Sequence, residues 1–164
     1  MTISQSDLVS RLGASASWGA DWAWGLPLVI LTVLIHVLGL GLINQRAIIA
    51  FSRLSDRRHP TGVFAMITGV ATLWATALHA VEVGIWATAY RCLGALPDFK
   101  SGMLYSLNAM TSYGHESLFL ERPWQLMGAL EALNGWLLFG LTTAFLFGII
   151  QKVWALDPRQ HHST

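Results

Sequence analysis

Residues 103–115, MLYSLNAMTSYGH, lie between two long apolar segments and end in a Tyr-Gly pair followed by His115. The stretch is too polar and too short to cross a bilayer, which takes about 20 predominantly apolar helical residues. It is also too apolar, and too free of charge, for an ordinary solvated loop. Irregular backbone at membrane depth is tolerated only where protein buries it or where it lines a water-filled cavity. A re-entrant loop beside a pore is the expectation.

Composition agrees with a membrane setting. Of 164 residues, 54% are hydrophobic and 12% charged, with a mean hydropathy of +0.50. An average soluble domain carries about 25% charged residues. A formal net charge of +1 and the absence of a basic stripe with interleaved aromatics give no sign of a nucleic-acid partner. The single Cys92 excludes an intramolecular disulfide and a CxxC metal site. Trp18, Trp22, Trp24, Trp86, Trp124 and Trp154 fall near the ends of apolar runs, where indole rings favour the headgroup region. Asp7, Arg11 and Asp21 interrupt the N-terminal stretch, so no cleaved signal peptide is expected.

Three segments are long enough to span: about 26–43, 62–90 and 126–150. Pro27 suits the first turn of a helix, where its missing N–H costs nothing. Residues 5–24 read as an interfacial helix or as an ordered arm. The chain then divides into an extracytoplasmic arm (1–25), a first span with an Arg-rich loop (26–61), a two-span module with the loop (62–155) and a tail (156–164). Arg46, Arg53, Arg57, Arg58, Lys152 and Arg159 fall on one side, and Arg11, Arg91, Lys100 and Arg122 on the other. The positive-inside rule places the N-terminus outside and the C-terminus in the cytoplasm. The Arg cluster is a topology determinant, or a contact with anionic lipid.

Within the loop, Pro97 ends the preceding segment. Asp98 or Ser101 can cap a short helix over about 99–109, followed by Met110 to His115 in extended form. Gly114 tolerates positive φ, and pores exploit such backbone to present carbonyl and hydroxyl oxygens to an ion. Ionisable groups inside spans are functional hypotheses by default. His79 and Glu82, three apart, share a helix face. They read as a mutually satisfied pair or as a proton-sensing or vestibule element. Glu131 and Asn134 are likewise three apart. The order His-x-x-Glu occurs once, whereas a di-metal bundle takes Glu-x-x-His on two helices, so no metal site is expected. Lone His36 reads as a helix contact, and His161 and His162 as a solvated tail. Gly135 and Gly140 read as a hinge or as close-packing positions. No nucleophile–base pair or phosphate loop appears, which argues against an enzyme.

Three stretches carry a resemblance: His79 to Ala95, Tyr105-Ser106 with Tyr113-Gly114, and Trp124 to Phe147. They resemble, in turn, the outer helix, the pore helix with its filter, and the inner helix of bacterial potassium channels. The likeness covers residues 75–152, and the first span is an addition to the two-helix module. In that family the filter typically reads TTLGYGD. Here Ser112 stands at the first filter Gly, Thr111 at the Val, Ile or Leu, Met110 at the Thr, and His115 at the Asp. A gapped alignment placing Thr111 on the filter Thr is equally open. The resemblance implies an all-α protein of the bacterial inner membrane, with three transmembrane helices and a re-entrant pore helix. It implies four chains around one path, passive conduction of monovalent cations with potassium foremost, and no cofactor besides the permeant ion. By resemblance the filter is Met110, Thr111, Ser112, Tyr113, Gly114 and His115. Tyr105, Glu131 and Asn134 would support it by bonding the pore helix from behind. Two rivals remain: a non-conducting binding or assembly protein with the same fold, and a small metal enzyme using His79 and Glu82.

Overall fold

The computed structural model describes residues 5–54, 60–114 and 118–155, with side chains at 18–50, 61–114 and 118–152. Among them there is no strand. The order is α1 (Gln5–Leu54), α2 (Pro60–Cys92), α3 (Phe99–Thr111), a 3₁₀ turn (Arg122–Trp124) and α4 (Gln125–Ala155). Three segments are long and apolar enough to cross a membrane: Trp18–Ala50, Thr61–Cys92 and Arg122–Lys152. The protein is thus all-helical, with the architecture of a multi-pass membrane protein. His115 and the tail 156–164 lie outside the described residues.

The first span departs from expectation. Pro27 does not open a helix but sits inside one of 50 residues, continuous with the segment read above as an arm or a separate interfacial helix. Spanning helices accept an interior proline because neighbouring groups re-satisfy the freed carbonyl. Trp86, expected near a headgroup boundary, is instead fully buried at the centre of a core.

The chain divides into two compact units. The first comprises Met1–Val33 and Val81–Leu137. Its core gathers Trp86 and Tyr90 of α2, Tyr105 and Ala109 of α3, and Met127 and Leu130 of α4. Tyr90 meets Tyr105 edge to face, with ring centroids 5.4 Å apart. The second comprises Leu34–Ala80 and Leu138–Thr164. There Val63, Ile67 and Ala71 pack with Ala47 and Ile149, and Leu40 packs with Ala75 and Leu78. Large apolar side chains such as Leu38, Leu73, Leu133 and Phe139 remain exposed, as surfaces that face hydrocarbon do.

Candidate functional site

The short helix and its exit belong to the first unit. Pro97 cannot continue α2, and Asp98 caps α3 as the sequence implies. Its Oδ1 accepts from the Ser101 N–H at 2.9 Å and its Oδ2 from the Ser101 hydroxyl at 2.9 Å. These bonds, the backbone one first, hold the Asp98 carboxyl below the usual carboxylate range.

α3 packs tightly along its length. A Cβ on Gly102 would stand 3.0 Å from the Ala87 carbonyl oxygen, and one on Gly128 would overlap the Tyr105 hydroxyl. A Cβ on Gly135 would lie 2.5 Å from the Met110 carbonyl oxygen. Only glycine lets the C-terminal turn of α3 rest on α4 there. Gly135 is ten residues beyond the start of α4, which is about 15 Å along its axis at 1.5 Å per residue. Close packing therefore accounts for Gly135. Gly140 faces open space, and α4 runs unbroken through both.

α3 continues two residues further than the sequence suggests. Met110 and Thr111, expected in extended form, are its last helical residues. The Thr111 hydroxyl donates to the Leu107 carbonyl at 2.7 Å, so its hydrogen is spent inside the helix. Ser112 then adopts the left-handed region at φ 55°, ψ 25°, and its Oγ accepts from Trp136 Nε1 at 3.0 Å. Gly114 has φ 96°, the positive φ anticipated for it. Thr111, Ser112, Tyr113 and Gly114 are all exposed on the single chain.

Glu131 and Asn134, expected behind the filter with bonds to the pore helix, are fully buried, Glu131 beside Ser106 of that helix, and both also bond to other helices. Tyr90 donates to Glu131 Oε2 at 2.7 Å, and Asn134 Nδ2 donates to Thr32 Oγ1 at 2.8 Å. These bonds tie α4 to α2 and α1. Thr32, Tyr90 and the buried Asp21 carried no signal in the sequence, because nothing local marks which neighbouring helix a side chain will meet. Among the described residues, Asp21 Oδ1, Trp86 Nε1 and Asn134 Oδ1 have no hydrogen-bond partner.

His36 and His79 lie on two of the spanning helices. Glu82 is fully buried in the first unit. His79 belongs to the second, as does His36, which is fully buried. The His36 and His79 rings stand 4.9 Å apart, tilted by 40°. Both Nε2 atoms meet Thr142 Oγ1, at 2.9 and 3.2 Å. His36 is thus a hydrogen-bonded contact between helices, as its sequence reading has it.

No protein-family model, curated protein or solved structure matches the chain.

Proposed function

We propose that the chain is the pore-forming subunit of a cation channel of the bacterial inner membrane, with potassium the foremost permeant ion. In this reading α3 is a re-entrant helix, and four copies close one path around it. The N-terminus lies outside and the C-terminus in the cytoplasm. One observation carries the proposal: the exit of α3 is pinned to α4 at Gly135 and Trp136, about 15 Å inside a spanning helix. That is half of ~30 Å of hydrocarbon. Lipid-exposed irregular backbone is not tolerated at such depth, whereas backbone lining a water-filled cavity is. Ser112, Tyr113 and Gly114 then offer their oxygens to the path. Met110 and Thr111 hold the helix that positions them.

A second reading is a non-conducting membrane protein that keeps this architecture as a binding or assembly partner. It is favoured by the engaged Ser112 hydroxyl, whose oxygen already accepts from Trp136 Nε1 and so serves an ion less well. Potassium flux into proteoliposomes separates the two. The channel reading predicts protein-dependent flux that Gly114→Val abolishes with membrane insertion intact, because valine is strained at φ 96°. Flux unchanged in Gly114→Val refutes the assignment of the path, and no flux from the wild type favours the partner reading.

A further inference from the structure

We propose that His36, His79 and the space at Thr142 form a binding site for a first-row transition-metal cation of the class imidazole selects, with zinc as the probe. The site lies wholly in the second unit and is independent of the channel reading. α1 supplies His36, α2 supplies His79 and α4 supplies Thr142. An imidazole inside an apolar span is costly to place. Two of them here aim a ring nitrogen at one oxygen. That convergence, on side chains 43 positions apart, is what a chelating pair requires.

The distances are close to those of a metal-bound pair. Tetrahedral zinc holds imidazole nitrogens at ~2.0–2.1 Å, which sets two of them roughly 3.4 Å apart. The candidate ligand atoms of His36 and His79 lie within 4.8 Å of each other. Closing that gap takes a movement of about 1.4 Å, within reach of side-chain rotation. Proton counting says what binding must change. One hydroxyl has one hydrogen to give, so Thr142 can donate to only one Nε2. The other ring must carry its proton on Nε2 and donate to Oγ1. With a cation bound, both Nε2 lone pairs turn to the metal, each neutral ring carries its one proton on Nδ1, and the Thr142 hydroxyl is released. Imidazole nitrogens suit zinc, copper and nickel, whereas magnesium and calcium prefer oxygen ligands.

The test is zinc binding to the full chain in detergent, with His161 and His162 replaced by alanine so that the tail contributes no imidazole. Equilibrium dialysis should find one zinc per chain. X-ray absorption should show two imidazole nitrogens near 2.0 Å. His36→Ala and His79→Ala should each lower the affinity roughly 100-fold, the upper end of losses seen even for residues that only support a ligand. Thr142→Val, which removes no ligand and leaves both rings in place, should retain one zinc per chain. Absence of stoichiometric zinc in the wild type would overturn the proposal, whatever the variants' folding. So would binding that survives loss of both histidines, or binding that Thr142→Val removes while helicity is unchanged. None of these readouts involves ion flux, so failure here leaves the channel reading standing, and the reverse also holds.

Discussion

Two helix ends in the first unit close with the same pair of hydrogen bonds but with different residues. After α2, the Ala95 N–H reaches the Tyr90 carbonyl at 2.9 Å and the Gly94 N–H reaches Arg91 at 3.3 Å. After α3, the Tyr113 N–H reaches Asn108 at 3.1 Å and the Ser112 N–H reaches Ala109 at 3.1 Å. Both are Schellman closures, which place one residue in the left-handed region. That residue is Gly94 at φ 68° in one and Ser112 at φ 55° in the other. Glycine takes the position freely, whereas an L-residue there costs roughly 1–2 kcal/mol. Backbone strain of this kind persists only where the surroundings over-determine it, and such places cluster at functional sites. The Trp136 indole bonded to Ser112 and the seat of Met110 on Gly135 supply that determination. The relaxed end is a connection, and the strained end is held against α4.

The largest effect on this contrast should come from Gly135→Ala. A methyl there meets backbone that cannot rotate away, so α3 must shift off α4, at about 1–3 kcal/mol. Thermal unfolding in detergent measures the loss, and on the proposed channel reading flux should fall with it. Gly94→Ala comes next. Nothing lies within 4 Å of the added methyl, so the cost is conformational alone, roughly 1–2 kcal/mol, and on the proposed channel reading flux per folded protein should be unchanged. Ser112→Gly is the reverse experiment. It relieves the strain but deletes the acceptor of the Trp136 N–H, worth about 0.6 kcal/mol on average between membrane helices. Stability should therefore rise slightly, by about 0.5–1 kcal/mol. Had Ser112 been held without strain, the variant would instead be destabilised.

The smallest effect concerns the other end of α3 and depends on pH. The folded-state pKa of Asp98 lies below its ordinary value of 3.8. The cap's contribution is therefore complete above that value and is lost as pH falls through the folded-state pKa. The stability difference between wild type and Asp98→Ala should be flat from pH 8 to 5 and shrink below about pH 4. A difference that grows with acidification would contradict the assignment of Asp98 as the cap.

Much of the architecture was legible in the sequence because it depends on local signals. Apolar run length announced three spans, and Pro97 with Asp98 announced α3 and its cap. Gly114 announced a positive φ. The failures share a different cause. Pro27 sits inside α1 because context decides whether a proline starts a helix or is absorbed by one. α3 runs through Thr111 because its final turn is stabilised by α4, far along the chain. Tyr90, Thr32 and Thr142, which Glu131, Asn134, His36 and His79 reach across helices, are 41 to 106 residues away from them. Residue spacing reports which side chains share a face of one helix, but not which face of another helix they meet.

The depth of the α3 exit tests the central claim most directly. A nitroxide at position 113, in a Cys92→Ser background, can be ranged against nickel chelated at the headgroups of a reconstituted bilayer, with a second label at position 124 as the surface reference. The account predicts that label 113 sits about 15 Å deeper than label 124. Equal depths, with both labels at the headgroups, would place the exit of α3 at the membrane surface and contradict the account.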